Sequence, residues 1–361
     1  MPAYIQSIGT AVPPFVADQQ TICSFMQRNL ELSEEEEKKL RLLYRASGIQ
    51  HRYSVLEDFS HPNEEKGLFK KGDFPSAKVR MDLFQENAVI LAEKAATVAL
   101  KDSRGSEITH LIAISCTGMY APGLDIELIE RLNLKTDTQR TSFNFMGCYA
   151  AFNGMKTAQN IVLSDPESKV LVVAVELCTL HLQDTTDDES LLSNSLFGDG
   201  ATAFLVGSEK TSSCLELKGF YSDLFLQGKS EMGWYIGNHG FEMKLSPEVP
   251  DVIREGIGEL TQRLLDKIEM RFSEIDLFAI HPGGRRILEV IEKELAISKE
   301  QNQASREVLK KYGNMSSATI MFVLQYLLHG FTKEDDEKQI LSFAFGPGLT
   351  MESAIMQVHH A

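Results

Sequence analysis

No apolar run in this sequence approaches the roughly 20 residues that a helix needs to cross a bilayer, so no membrane span is expected. The opening MPAYIQSIGTAVPP has neither a basic head nor a long apolar stretch, so no secretory signal is expected. Cysteine is sparse. Cys23, Cys116, Cys148, Cys178 and Cys214 are odd in number, widely spaced and form no CxxC pair. That suits free thiols in a reducing cytosol better than a disulfide frame or a zinc site. Positive charge is also short: 36 Lys and Arg against 51 Asp and Glu leave a net charge of -15. This excludes a nucleic-acid-binding surface and attraction to anionic membranes. His359 and His360 near the end stand too far from other ligand types to argue for a metal.

What is present is ordinary for a globular protein: 43% apolar and 24% charged residues in 361, enough for two domains or one large one. Residues 4–9 read as a first strand, ended by Pro13-Pro14. Ser33 followed by Glu36 fits a capping box that opens a charged helix through about Arg45. Residues 55–80 are polar, with Gly67, Gly72, Pro62 and Pro75, and read as surface loops. A helix from about Met81 to Leu100 follows. HLIAIS (110–115) is a fully buried strand, IELIERL a helix and QRTSFNF a strand. Residues 148–163 read as a buried helix with Cys148 in its first turn, because Ala150, Ala151, Phe152, Met155, Ala158, Ile161 and Val162 recur at helical spacing. KVLVVAVEL and GATAFLVG are further strands.

The second half resembles the first. One strand ends in Ala113-Ile114-Ser115 and another in Ala279-Ile280-His281, 166 positions later. The same shift carries Cys148 onto Asn314, and MGCYAA and GNMSSA both put small residues before an apolar helix. A duplication of strand–helix units predicts an α/β fold with helices covering the sheet. In such folds chemistry gathers where strands end and helices begin. Ser115, Cys148, His281 and Asn314 all stand at such ends. Taken singly, each has a plain structural reading: Cys148 as a small core residue, His281 of HPGG as a satisfied structural histidine, Asn314 as a helix cap. Taken together they have a coherent chemistry. A helix start and an imidazole favour a thiolate that accepts an acyl group from a thioester. A histidine and an asparagine can then donate to the one oxygen that turns into an enolate when a malonyl group loses carbon dioxide.

GCYAA, LFGDGA, HPGGRRILE, YGNMSSA and FGPGLTMES, in this order, resemble the type III polyketide synthases of the chalcone synthase superfamily, with a bacterial look in ELCTLHLQ; the likeness runs over residues 4–356. The resemblance implies a thiolase-like fold of two pseudo-duplicated αβαβα halves in a layered α/β/α/β/α core. Residues 1–210 would carry the nucleophile Cys148, and residues 211–361 the pair His281 and Asn314. It implies an acyltransferase that condenses malonyl-CoA onto a starter supplied as an acyl-CoA or on an acyl carrier protein. No cofactor or metal is implied, since the CoA thioesters are substrates. It also implies a cytoplasmic homodimer that binds neither nucleic acid nor membrane. Phe197 and Phe241 match gatekeepers. Cys116, Thr117, Cys178, His181 and Met232 match cavity-lining positions, and Gly346, Pro347 and Gly348 the loop that shapes the cavity floor. Lys39, Arg41, Arg45, Gly283 and Ser316 fall at CoA-binding positions. Ala121 matches a residue that enters the partner's cavity and is methionine in plant members. Bacterial relatives with this look extend fatty acyl starters to alkylpyrones or alkylresorcinols. A single-round ketoacyl synthase and a non-catalytic protein of the same fold stand as the alternatives.

Overall fold

The computed structural model describes residues 2–60, 67–101 and 103–360. The first half contains β1 (Tyr4–Ala11), β2 (Phe15–Asp18), α1 (Gln19–Asn29), α2 (Glu34–Ala46), β3 (His51–Ser54) and α3 (Ala77–Ala99). It continues with β4 (His110–Ser115), α4 (Leu124–Arg131), β5 (Gln139–Asn144), α5 (Ala150–Ser164), β6 (Val170–Leu177), α6 (Asp188–Leu196) and β7 (Asp199–Gly207). The second half has β8 (Ser213–Leu224), β9 (Met232–Gly237), β10 (Gly240–Leu245), α7 (Val249–Lys267), β11 (Leu277–Ile280) and α8 (Arg285–Glu294). It ends with α9 (Gln303–Tyr312), α10 (Thr319–Gly330), β12 (Gln339–Gly346) and β13 (Thr350–His360). Short 3-10 turns join several of these.

Local chemistry set most of these boundaries. The Ser33 hydroxyl accepts the Glu36 N–H at 3.3 Å and the Glu36 carboxylate accepts the Ser33 N–H at 2.7 Å, which is the capping box expected. Helix α3 starts earlier than its apolar pattern suggested, because the Ser76 hydroxyl caps it by accepting from the Val79 N–H. The expected loop therefore loses its last residues to α3, and a 3-10 turn, Glu57–Phe59, occupies part of its start. Residues 61–66 of that loop lie outside the described residues. No helix among the described residues is long and apolar enough to cross a membrane.

Nine strands form one sheet in the order β11-β12-β13-β8-β1-β7-β6-β4-β5. The order is a repeat. From β5 inward, β4 pairs parallel with β5 and β6, and β7 runs antiparallel to both β6 and β1. From the other end, β11 pairs parallel with β12, and β13 runs antiparallel to both β12 and β8. The two sets meet where β1 touches β8 at Tyr4–Glu216 and Ile5–Leu215. The repeat has one gap: the 166-residue shift carries β5 onto residues 305–310, which lie inside α9.

Alternation along the strands separates the layers. Leu171, Val173, Val175 and Leu177 of β6 pack with α1, α3 and α4, whereas Val170, Val172 and Ala174 face α5 and α10. In β12, Ile340 and Ala344 face the same central helices, and Leu341, Phe343 and Phe345 pack with α7 and α8. The architecture is thus helix, sheet, helix, sheet, helix, as expected for a thiolase-like fold. Burial on both faces explains why β6 and β12 read as largely apolar runs, broken only by Glu176 in β6 and by Gln339 and Ser342 in β12.

Close approach of α3 to β1 depends on Gly9. A Cβ there would lie 2.1 Å from the Ala95 carbonyl oxygen and 2.6 Å from the Ala99 nitrogen. Neither backbone atom can swing aside. Gly9→Ala is expected to lower unfolding free energy by about 1–3 kcal/mol, the usual cost of overpacking, read as a lower urea midpoint at unchanged slope.

Candidate active site

Cys148 does not lie in the first turn of the buried helix. Helix α5 starts at Ala150 with Tyr149 as its N-cap, so the thiol stands just ahead of the helix, at its positive end. The turn that puts it there needs Gly147, whose φ is +83° and whose added Cβ would meet Pro347 Cδ at 2.5 Å. The Gly147 N–H donates to the Cys116 sulfur at 3.0 Å.

His281 leaves β11 with its N–H still in the ladder, donating to the Phe343 carbonyl at 2.8 Å. His281 is 1% exposed, and neither ring nitrogen has a partner among the described residues. Buried polar atoms are usually paired, so two orphans on one imidazole mark a group held for another purpose. Gly283 lies beside the ring: a Cβ there would sit at an ordinary 3.7 Å from His281 Nε2 and more tightly, at 3.0 Å, against Ile287 Cδ1.

Asn314 is fixed twice by its backbone. Its N–H donates to the Leu196 carbonyl at 2.9 Å, and its carbonyl accepts the Gly198 N–H at 2.9 Å. Its side-chain oxygen accepts the Ser316 N–H at 2.8 Å, and its Nδ2 donates to the Gly283 carbonyl at 3.3 Å. Both amide atoms lie 3.9 Å from Cys148 Sγ. Cys148, His281 and Asn314 all line one cavity. Three turns, at the end of β11 and ahead of α5 and α10, therefore deliver the three residues that the duplication pointed to.

Burial governs their titration. It pushes the Cys148 thiol up to about 12, with Glu176 adding to the rise and the Ser316 hydroxyl and Asn314 amide opposing it. It pushes His281 down to about 3. Each group alone is neutral at pH 7, since the thiol stays protonated below its raised value and the imidazole stays unprotonated above its lowered one. The thiolate–imidazolium pair expected from the sequence is not formed here: each group is neutral by itself, and neither His281 nitrogen is in hydrogen-bond contact with the sulfur.

The rest of the wall agrees with expectation in part. Cys116, Thr117, Cys178, His181, Phe197, Met232, Gly283, Ser316 and Pro347 line the cavity. Phe241 does not. It lies behind His181, stacked on that ring with centroids 4.4 Å apart, and Met243, two residues along the same face of β10, reaches the wall instead. Gly346 and Gly348 also stay out of the wall, where Phe345 and Pro347 stand. Gly346 is hidden against the Tyr149 ring, which an added Cβ would meet at 2.5 Å. Ala121 is exposed and off the wall. Lys39, Arg41 and Arg45 are off the wall too; Lys39 pairs with Asp188 and Arg41 with Glu37.

Several site residues escaped the sequence reading. Glu176, fully buried at the end of β6, accepts from the Cys116 N–H and the Thr117 hydroxyl, each at 2.9 Å, and from the Ser317 hydroxyl. It ties the end of β4 to the turn that carries Asn314. A carboxylate closing the apolar run KVLVVAVE was its only signal. Trp234 donates from Nε1 to the Cys116 carbonyl at 2.6 Å. Its ring and Phe241 enclose the His181 imidazole, whose Nε2 is 2.7 Å from the Thr117 carbonyl and whose Nδ1 accepts the Phe241 N–H at 2.9 Å. These two bonds place the ring proton on Nε2. Away from this aromatic wall the cavity runs on between Phe15, Ala17, Ile22, Leu56 and Phe59, an apolar arm under β2 and α1. The whole encloses about 1270 Å³, open mouth included.

Comparison with known proteins places this geometry. The model of the chalcone and stilbene synthase N-terminal domain matches residues 1–210, and that of the C-terminal domain matches residues 220–359. The "Alpha-pyrone synthesis polyketide synthase-like Pks18" of Mycobacterium tuberculosis is 31% identical over 99% of this chain and 91% of its own. "Type III polyketide synthase C" of Arabidopsis thaliana is 30% identical over 98% of this chain and 95% of its own. Among solved structures, the C-terminal type III polyketide synthase domain of Steely1 from Dictyostelium superposes with a TM-score of 0.92 at 28% identity, covering 99% of this chain and all of that one. PKS-I from the brown alga Ectocarpus siliculosus gives 0.91 at 28% identity over 99% and 98%.

The coupling of thiol and imidazole has a direct measure. In His281→Gln the thiol keeps its raised value, so iodoacetamide labelling of Cys148, followed by peptide mass spectrometry, should rise about tenfold per pH unit between pH 7 and 10. It should be slower than in the wild type throughout that range. Equal rates for the two proteins would show that the proton does not pass between them.

Proposed function

We propose that this chain, which belongs to the chalcone and stilbene synthase family of type III polyketide synthases and is an acyltransferase, extends a fatty acyl starter held on Cys148 by repeated decarboxylative condensation with malonyl-CoA. The observation that carries the reading is the convergence of Cys148, His281 and Asn314 on a cavity that continues into an apolar arm.

The steps follow from the groups present. The Cys148 sulfur attacks the starter thioester carbonyl while its proton passes to His281, and the CoA thiolate leaves with that proton. The carbonyl oxygen of malonyl-CoA then lies against His281 Nε2 and Asn314 Nδ2. Loss of carbon dioxide leaves an enolate whose charge rests on that oxygen, and donors fixed before the reaction stabilise it more than they stabilise the ester. The carbanion carbon attacks the acyl carbonyl on Cys148, the carbon–sulfur bond breaks, and the lengthened chain leaves as a CoA thioester. Return of that chain to Cys148 starts the next round. After two or three rounds, lactonisation or an aldol or Claisen closure gives an alkylpyrone, an alkylresorcinol or a related ring. Phe197 on the wall offers the malonyl carboxylate an apolar face that disfavours its charge. No cofactor enters these steps.

Phe15, Ala17, Ile22, Leu56 and Phe59 support a fatty starter, because an alkyl tail laid along them leaves water at about 0.8 kcal/mol per methylene. The exposed edge strand β5 and the exposed Ala121 support a homodimer, and five free thiols among the described residues support a cytoplasmic setting.

Two sets of variants test the reading. Cys148→Ala should give no ring-closed product from labelled malonyl-CoA and a panel of CoA and carrier-protein starters, and persistence of that product would remove the nucleophile assignment. A product extended only once and left open would favour a single-round ketoacyl synthase. Leu56→Trp should shift kcat/KM from long toward short starters by about tenfold or more, with a lowered melting temperature because the position is buried. An unchanged chain-length profile would place the tail elsewhere.

A further inference from the structure

Arg52, on β3, is 5% exposed and makes no ion pair among the described residues. A buried guanidinium is costly unless its hydrogen bonds are well used. Here Nε and Nη1 are engaged, and Nη2 is buried without a partner among the described residues. Nη1 donates to the Asn194 carbonyl at 2.8 Å and to the Phe197 carbonyl at 2.6 Å. Both carbonyls belong to the C-terminal end of α6, where helix carbonyls lack partners and the dipole is negative. Nε is held at 2.9 Å by Gln19 Oε1, and the Gln19 amide donates to the Ser195 carbonyl at 2.7 Å. The Tyr44 hydroxyl adds a bond to the Asn194 carbonyl at 2.9 Å.

The stem of Arg52 is equally committed. A Cβ on Gly198 would lie 3.5 Å from Arg52 Cβ, and one on Gly313 would lie 2.9 Å from Arg52 Cγ. Those glycines adjoin Phe197 and Asn314, the two residues joined by an isolated parallel bridge. Arg52 therefore fills the space beside that bridge and also fixes one end of it.

We propose that Arg52 is a positioning residue for malonyl decarboxylation: it locks the end of α6, and through the Leu196–Asn314–Gly198 backbone bonds it sets the place of the Asn314 amide and the Phe197 ring. Cys148 lies on a separate turn held by Gly147, Cys116 and Pro347 and meets Asn314 only at 3.9 Å, so loading of the starter depends on Arg52 less than decarboxylation does.

The inference rests on the assignment of Asn314 to the malonyl carbonyl, and the test separates the two. Release of labelled carbon dioxide from malonyl-CoA and acylation of Cys148 by a starter thioester are measured for Arg52→Gln, Arg52→Lys, Asn314→Ala and the double variant R52Q/N314A, each with its melting temperature. Arg52→Gln should lose about tenfold or more in the kcat of decarboxylation, the scale of a small misplacement, while Cys148 acylation falls by a clearly smaller factor. Arg52→Lys should lose as well, since an ammonium cannot hold two carbonyls and Gln19 in the same fork. In the Asn314→Ala background the Arg52 change should add nothing, because both act on one group. Unchanged decarboxylation in Arg52→Gln, an equal fall in both partial reactions, or losses that multiply in the double variant would overturn the proposal. Normal decarboxylation in Asn314→Ala itself would instead overturn the assignment on which it stands.

Discussion

Two backbone hydrogen bonds, from Asn314 to Leu196 and from Gly198 to Asn314, stitch the halves of this protein together at the wall of its cavity. The rest of the site depends on them. They fix Asn314, which touches both the Cys148 sulfur and the carbonyl after His281. They also fix Phe197, which lies in the bridged segment. Such bonds need glycine on both sides: Gly313 has a φ of +70°, and a Cβ there would come within 2.7 Å of the Leu196 carbonyl. The glycines of LFGDG and YGNMSSA are thus a requirement of close backbone approach between the two halves.

Around this seam the protein has accepted several buried polar groups, each with a compensation that spans elements distant in sequence. Glu176 is buried and its carboxyl is pushed up by desolvation, yet donors from the end of β4 and from the turn before α10 pull it back. Arg52 is spread over the end of α6. His181 has both ring nitrogens engaged and is pushed down to about 3 by burial, a neutral ring locked between Trp234 and Phe241. His281 differs from Glu176 and His181: both of its ring nitrogens are buried without a partner among the described residues. Arg52 shares part of that condition, since its Nη2 is buried and unpartnered too.

Much of the fold was legible because its signals are local. The Ser33–Glu36 box, the apolar runs of β4, β6 and β12, and the helical spacing after Cys148 each involve residues close in the chain. The sites at Cys148, His281 and Asn314 were legible for a different reason: a duplicated strand–helix unit puts equivalent turns in equivalent places, and the 166-residue shift exposes them. Legibility failed where side chains meet across elements. The hairpin of β9 and β10 turns Phe241 behind His181 and brings Met243 forward, and alternation alone does not say which face of a hairpin will meet a cavity. The basic residues of α2 went to acidic neighbours, Asp188 on α6 and Glu37 on the same helix. Their charge was visible in the sequence; their partners were not.

The sequence by itself determined the layered α/β fold, the repeat and which three residues, Cys148, His281 and Asn314, would meet at one cavity, because these follow from periodicity and from motifs short enough to carry their own geometry. Only the tertiary structure decided how those residues are tuned and what surrounds them. Desolvation, the pairing of Glu176 with both halves, the anchoring by Arg52 and the apolar side of the cavity arise from atoms brought together across long stretches of chain, 141 residues from Glu176 to Ser317 and 142 from Arg52 to Asn194. Burial and contact at that range are properties of the packed molecule, and no stretch of sequence holds them.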